Sequence, residues 1–166
     1  MEFIQVKADD REAVNKLSAV ASEIVKEHYN PILGAEQNDY MIEKFQSPGA
    51  ILEQLSHGYR YYLAEEDGCT AGFMGFYPRE DVMYLSKLYL YKDKRGRGYS
   101  RKMVEFIASA ARAEGLPAIE LNVNRFNSGS IAAYEALGFV RVREEKNDIG
   151  HGFCMDDYVY RLEING

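Results

Sequence analysis

The chain has 166 residues, of which 46% are hydrophobic and 28% are charged, and its formal net charge is −6. This length and composition are typical of one globular domain, so we expect a single domain over residues 1–166. The acidic balance argues against general nucleic-acid binding, and no apolar run approaches the length of a membrane span or of a secretory signal. We therefore expect a cytoplasmic protein that binds neither nucleic acid nor membrane.

Two cysteines, Cys69 and Cys154, lack metal-binding or redox spacing, and the three histidines are scattered along the chain. Reduced thiols and the absence of a metal site are the resulting expectations.

The first third of the chain predicts one strand followed by helices. Residues 2–7 alternate as a strand does, and Asp9 with Glu12 resembles the capping box of a helix that continues to about Glu27. The stretch 28–34 contains Pro31 and Gly34 and predicts a break in that helix. Two further helices are predicted over residues 36–45 and 49–55, the latter started by Ser47-Pro48.

The middle of the chain predicts an antiparallel meander. Residues 59–66 and 70–77 read as strands joined by an Asp67-Gly68 hairpin turn. Pro78 and Asp81 mark the next turn, and residues 82–91 form the third strand of the meander.

A basic, glycine-containing turn follows that strand. Residues 92–102 contain six basic residues and one acidic residue, a local charge of +5, and Arg95-Gly96-Arg97-Gly98 precedes an amphipathic helix that ends before Gly115 and Pro117. The unpaired N–H groups at a helix N-terminus attract anions. Neither a nucleotide-triphosphate loop nor the dinucleotide fingerprint fits these residues, so a polyphosphate site of another kind is indicated.

Two segments resemble the GNAT superfamily of N-acetyltransferases. Residues 95–100 are similar to its Arg/Gln-x-x-Gly-x-Gly/Ala motif, with Ser100 in place of the usual Gly or Ala. Residues 127–139 are similar to its Asn-x-x-Ala/Ser-Ile-x-x-Tyr-x-x-x-Gly-Phe segment. Read without the family, Asn127 or Ser128 is a helix N-cap and Gly138 a C-terminal cap.

The resemblance implies acetyl-CoA as the cofactor. The residues expected to contact it are Leu88, Leu90, Arg95, Gly96, Arg97, Gly98, Tyr99, Ser100, Asn127, Ser130 and Tyr134.

The remaining residues predict short strands over 118–123, 139–144 and 155–164, with a polar loop over 145–154. The resulting fold class is α/β, more narrowly α+β: a GNAT-type mixed, mostly antiparallel sheet of about seven strands with helices on both faces.

The chemistry that the resemblance implies is direct attack of an amine on the thioester carbonyl. The N–H of Leu90 would polarise that carbonyl, and Tyr134 would act as the general acid for the departing thiolate. Many relatives carry a carboxylate base on the fourth strand, but Ser86 and Lys87 occupy that neighbourhood here, so the base is not identified. The weaker candidates for the base or for substrate contacts are Glu36, Tyr40, Glu120 and His151.

These patterns do not identify the acceptor substrate. In the family, the region from residue 28 to 58 lies over the acceptor site, and its acidic helix face favours a small cationic amine, although a protein N-terminus or lysine fits equally well. A non-catalytic acyl-CoA sensor and a tyrosine-rich interaction module are the other classes. Family habit also implies a homodimer formed through the last strands.

Overall fold

The structure is a computed structural model that describes residues 1–150 and 152–164, and for residues 28–33, 35, 38, 45 and 155 it describes the backbone alone. The elements in chain order are β1 Glu2–Val6, α1 Arg11–Leu33, α2 Ala35–Gln46, α3 Pro48–Ser56, β2 Arg60–Glu66, β3 Cys69–Arg79, β4 Val82–Leu90, α4 Tyr99–Ala113, β5 Ala118–Asn124, α5 Ser128–Ala136, β6 Val140–Gly150 and β7 Phe153–Glu163. A 3₁₀ turn, Lys92–Lys94, lies between β4 and α4.

The strands form a seven-stranded sheet in the order β1-β2-β3-β4-β5-β7-β6. Strand β4 pairs with β5 in parallel, whereas the pairs β1–β2, β2–β3, β5–β7 and β6–β7 are antiparallel. The predicted mixed, mostly antiparallel sheet is therefore confirmed.

The chain divides into two compact units, which we describe separately. One unit contains residues 1–77 and 87–104, and the other contains residues 78–86 and 105–166. Strand β4 and helix α4 each contribute residues to both units. The expected single domain over 1–166 stays a prediction.

The first unit is built on an apolar stripe of α1 that packs against β2 and β3. Val14, Leu17 and Ile24 recur at helical spacing and are almost fully buried in a cluster with Tyr61 and Phe73. Burying each side chain of this size stabilises the unit by about 1.5–3 kcal/mol. Because the buried residues recur with the 3.6-residue period of a helix, the sequence pattern predicts the presence of this helix.

The predicted break at residues 28–34 is wrong for the most part, because α1 continues to Leu33. A proline removes one backbone donor from a helix but does not have to end it. The helix ends instead at Gly34, whose φ of 88° is outside the helical region. Helix α3 begins as predicted, since Ser47 caps it by accepting a hydrogen bond from Ala50 N at 3.2 Å.

The second unit is organised on β5, which is paired on both edges. Ile119 and Leu121 are fully buried, and their partners across the sheet are Leu162 and Tyr160 of β7. The predicted polar loop over 145–154 is wrong: residues up to Gly150 belong to β6 and pair with β7, so that Asn147 lies opposite Met155. Cross-strand pairing, which the polar composition does not reveal, extends this hairpin.

Among the described residues, no helix combines the length and the hydropathy that crossing a membrane requires. Cys69 and Cys154 are both exposed at the surface.

Candidate active site

The basic turn predicted from the sequence is present in the first unit. Strand β4 ends at Leu90, the 3₁₀ turn follows, and α4 begins at Tyr99. Gly96 and Gly98 have φ values of 75° and 79°, and an added Cβ would meet no atom within 4 Å at either position. These glycines are therefore needed for their left-handed backbone, and the space beside them is open.

The first turn of α4 presents its N–H groups beside this open space. The N–H of Lys102 donates to the carbonyl of Gly98 at 3.4 Å, so the N–H groups that precede it in the helix lie outside the intrahelical ladder. Arg95, Arg97 and Arg101 are exposed around them. Positive side chains, the helix dipole and outward N–H groups together make a site for an anion of high charge.

The end of β4 is held to its neighbours by backbone contacts. Tyr91 N donates to the carbonyl of Ala71 at 2.9 Å, and a Cβ placed on Gly72 would lie 2.0 Å from the carbonyl oxygen of Tyr89 and 2.9 Å from Leu90 Cα. Only glycine at position 72 permits this approach of β3 to the end of β4. Gly72 was not among the residues singled out from the sequence, because a glycine inside a strand carries no mark of which neighbour approaches it.

In the second unit, helix α5 carries the other predicted cofactor residues. Asn127 is buried and caps α5, its Oδ1 accepting a hydrogen bond from Ser130 N at 3.2 Å. The ring of the half-buried Tyr134 lies edge-on to that of Phe139, with centroids 5.6 Å apart. The N-cap predicted at Asn127 or Ser128 is therefore Asn127.

The weaker candidates have different surroundings. Glu36 is exposed on α2, and Lys44 Nζ lies 5.8 Å from the ring centroid of Tyr40 on the same helix. Glu120 is buried and accepts from Arg143 at 3.1 Å and from Arg161 at 2.9 Å. Both oxygens of its carboxylate are thus engaged by arginines, which suits a structural anchor. His151 lies outside the described residues.

The first unit contains a buried polar cluster that was not predicted from the sequence. Lys87 of β4 is 7% exposed, and its Nζ donates to the hydroxyl of Tyr61 and, at 3.4 Å, to Gln54 Oε1. The Tyr61 hydroxyl donates in turn to Gln54. Burial lowers the pKa of Lys87 to about 7. The sequence feature that could have indicated this cluster is a lysine in a mostly apolar strand. Its partners on α3 and β2 are distant in sequence, so the pattern alone does not reveal them.

A mixed sheet whose fourth strand ends in a basic glycine turn at a helix N-terminus defines a class of proteins with a polyphosphate-binding site at that turn. Comparison with known proteins specifies the class further: a family model described as Acetyltransferase (GNAT) family matches residues 22–139. The chain therefore belongs to the GNAT acetyltransferase family.

Individual relatives agree with this assignment. The uncharacterized N-acetyltransferase YjgM of Escherichia coli (strain K12) is 30% identical over 101 residues, which are 58% of this chain and 60% of that protein, so the match spans less than two thirds of that relative. PaiA N-acetyltransferase from Thermoplasma acidophilum, solved in complex with coenzyme A, is similar over 98% of this chain and 99% of its own, with 20% identity and a TM-score of 0.78. YncA from Salmonella typhimurium, solved with its cofactor acetyl-CoA, is similar over 100% and 96%, with 16% identity and a TM-score of 0.62.

These findings confirm the predicted family and fold class. The family model also identifies the chain as a member of an acetyltransferase family. Of the two similar structures, PaiA was solved with coenzyme A and YncA with acetyl-CoA. The individual residues that would contact the cofactor stay predictions.

Proposed function

We propose that this protein is an acetyl-CoA-dependent N-acetyltransferase that transfers the acetyl group to a primary amine, with a small cationic amine as the favoured acceptor. The observation that supports it best is the turn over residues 95–98, in which two glycines with positive φ open the N-terminus of α4 within a strongly basic segment. Family membership supplies the reaction class.

In this proposal the pyrophosphate of coenzyme A binds the backbone N–H groups that follow Gly98. Arg95, Arg97 and the N-terminal end of α4 supply positive charge, while Leu88 and Leu90 line the path of the pantetheine arm. Tyr99, Ser100, Asn127, Ser130 and Tyr134 complete the predicted contacts. The exposed basic side chains act mainly by attraction over several ångströms and are sensitive to salt.

The proposed reaction passes through a tetrahedral intermediate. The acceptor nitrogen attacks the thioester carbonyl, the N–H of Leu90 stabilises the oxyanion, and Tyr134 protonates the departing thiolate. The nitrogen must be neutral to attack. For a lysine-like amine with a pKa near 10.4, deprotonation at pH 7 costs roughly 4 to 5 kcal/mol, so a base is needed.

The preference for a cationic acceptor rests on charge. The net charge of the chain is −6, and Glu36, Asp39 and Glu43 are exposed on α2 at positions that share a helix face. A cation is drawn to such a surface before it is deprotonated. A protein N-terminus or lysine side chain is the alternative acceptor. Homodimerisation and a cytoplasmic location also stay predictions.

The proposal is tested by thermal melting with and without acetyl-CoA, followed by a thiol-release assay over polyamines, amino acids, aminoglycosides and short peptides. Saturating acetyl-CoA at about 100 times its Kd should raise the free energy of unfolding by about 2.7 kcal/mol. Turnover with one amine class would identify the acceptor. A stabilised protein that releases no thiol with any amine would favour the acyl-CoA sensor, and an unchanged melting temperature would contradict the proposal.

A further inference from the structure

The cluster of Lys87, Tyr61 and Gln54 places an amine in the interior of the first unit. Tyr61 is fully buried and Lys87 nearly so. Three different elements, β4, β2 and α3, contribute these side chains. Lys87 is three residues before Leu90, the proposed oxyanion donor, which corresponds to about 10 Å along a strand.

The surroundings of Lys87 favour its neutral form. Among the described residues, the phenols of Tyr59 and Tyr61 lie near its amine, and Tyr77 of β3 in turn acts on Tyr61. Burial raises the pKa of Tyr61 above its ordinary value, so this phenol stays neutral. The rings of Tyr59 and Tyr61, whose centroids lie 5.5 and 5.0 Å from Nζ, attract an ammonium. Burial is nevertheless the larger effect, and it lowers the pKa of Lys87 to about 7.

The hydrogen bonds hold the Lys87 amine in place. Its Nζ donates to the oxygens of Tyr61 and Gln54. In the neutral form a lysine amine also has a lone pair, which is the group that accepts a proton. Tyr61 and Gln54 also bond to each other, which fixes the position of Nζ.

We propose that Lys87 is the general base that removes the proton from the acceptor amine, with Tyr61 and Gln54 as the residues that position it. This role rests on the acetyltransferase function proposed above. It gives a role to a buried titratable group that has no other part in the proposed mechanism.

Lys87 Nζ takes one proton from the acceptor ammonium, and the neutral nitrogen forms a bond to the thioester carbon. The C–S bond then breaks, and the second proton of the nitrogen passes to the departing sulfur by way of the general acid. The products are the amide, coenzyme A as its thiol, and a protonated Lys87, which returns its proton to water before the next turnover.

A general base with a pKa close to the working pH is the most effective kind, because it is free to accept a proton and still basic enough to take one. At pH 7 only about one lysine-like amine in a few thousand is neutral in water. Lys87 would therefore act on the abundant ammonium form of the acceptor.

The test compares Lys87→Met and Lys87→Arg with Lys7→Met, a matched change at an exposed lysine of the same unit. The readouts are kcat between pH 6 and 9 and the Kd for acetyl-CoA. In the wild type, kcat should rise with pH through about 7 and then level off. Both Lys87 variants should lose about 100-fold or more in kcat at pH 7 while binding acetyl-CoA normally. Arginine keeps the positive charge but cannot give up its proton, so Lys87→Arg separates a base from a merely electrostatic role.

A further signature distinguishes a lost base from a disturbed fold. The rate of Lys87→Met should climb about tenfold per pH unit, because the acceptor must lose its own proton to solvent. A variant with wild-type kcat and a wild-type pH profile would overturn the role of Lys87. Failure of the wild type to bind acetyl-CoA would instead overturn the proposed function.

If the variants do not fold, the pKa values of the lysines can be measured in the wild type by NMR with ¹³C-labelled lysine side chains. A single lysine Cε resonance with a titration midpoint near pH 7 supports the proposal. Titration of every lysine above pH 9 overturns it.

Discussion

The guanidinium of Arg95 donates from Nη2 to the carbonyl oxygen of Leu90 at 3.3 Å. This bond ties the basic turn back to the end of β4 within the first unit. The residue proposed to polarise the thioester and the first residue of the proposed pyrophosphate site are therefore fixed to each other by a direct contact. A charge-assisted bond of this kind contributes about 1.5–3 kcal/mol when buried and less at a partly exposed position such as this one.

Gly98→Ala should weaken acetyl-CoA binding by about tenfold or more. Gly98 has a φ of 79°, and a left-handed backbone costs an alanine roughly 1–2 kcal/mol. The turn can escape this strain by changing its backbone, which moves the N–H groups that bind the phosphates. Isothermal titration with acetyl-CoA measures the effect.

Gly115→Ala is the matched control for that substitution. Gly115 has a φ of 72° and equally open surroundings, but it lies beyond the C-terminal end of α4. It should lose a similar amount of stability and keep its cofactor affinity. Equal losses of affinity in the two variants would show that Gly98 acts through general stability alone.

Tyr134→Phe should lower kcat by about 10²-fold or more while changing the Kd for acetyl-CoA little, because it removes the proposed general acid and keeps the ring that contacts Phe139. Tyr160→Phe is the control, since it removes a hydroxyl that donates to Glu135 of the same helix at 2.9 Å. That variant should lose about 1 kcal/mol of stability and keep its rate. An unchanged rate in Tyr134→Phe would remove Tyr134 as the acid.

Glu120→Gln should be a stability variant. Its carboxylate is buried between Arg143 and Arg161, whose side chains are 45% and 25% exposed, so loss of the charge should cost only about 1–3 kcal/mol. The rise of kcat through pH 7 should persist in the folded variant. Denaturant unfolding and a pH–rate profile measure the two effects, and loss of that rise would make Glu120, not Lys87, the better base.

Asp157→Asn should change how stability depends on pH. Burial is the main cause that raises the pKa of Asp157 to about 6. Its Oδ2 accepts from Asn122 at 3.3 Å, and its buried Oδ1 has no hydrogen-bond partner within the described part of the chain. A raised carboxyl pKa means that the folded state holds the proton more tightly, so the contribution of this group to stability falls as pH rises from about 4 to 6. The asparagine variant should therefore gain stability relative to the wild type over that range. A difference in free energy of unfolding that is independent of pH would contradict this reading.

Sequence alone predicted the elements whose signals are local. The strand, glycine turn and helix over residues 82–113 are each marked by the composition or spacing of neighbouring residues. Asn127 and Ser47 cap their helices as expected. Pro31 was misleading because a helix can tolerate a proline, whereas Gly34 with its positive φ ends α1. The two last strands were predicted, but their extension into residues 145–154 was missed because it depends on pairing between strands.

Part of the site is also non-local. Lys87 looked like an ordinary strand lysine, and only folding brings Gln54 and Tyr61 to its Nζ. Its lowered pKa depends on burial that no neighbouring residue in the sequence reveals. Gly72 acquires its importance in the same way, through the approach of Tyr89 and Leu90.

The central claim is that residues 95–98 hold acetyl-CoA. Isothermal titration of acetyl-CoA into the wild type and into the double variant Arg97→Glu, Gly98→Asp tests it most directly, with circular dichroism to verify that both are folded. We expect binding by the wild type and a loss of at least 100-fold in affinity in the folded double variant, because two negative charges replace a positive charge and a neutral backbone position at the phosphate site. Equal affinity in the two proteins would contradict it.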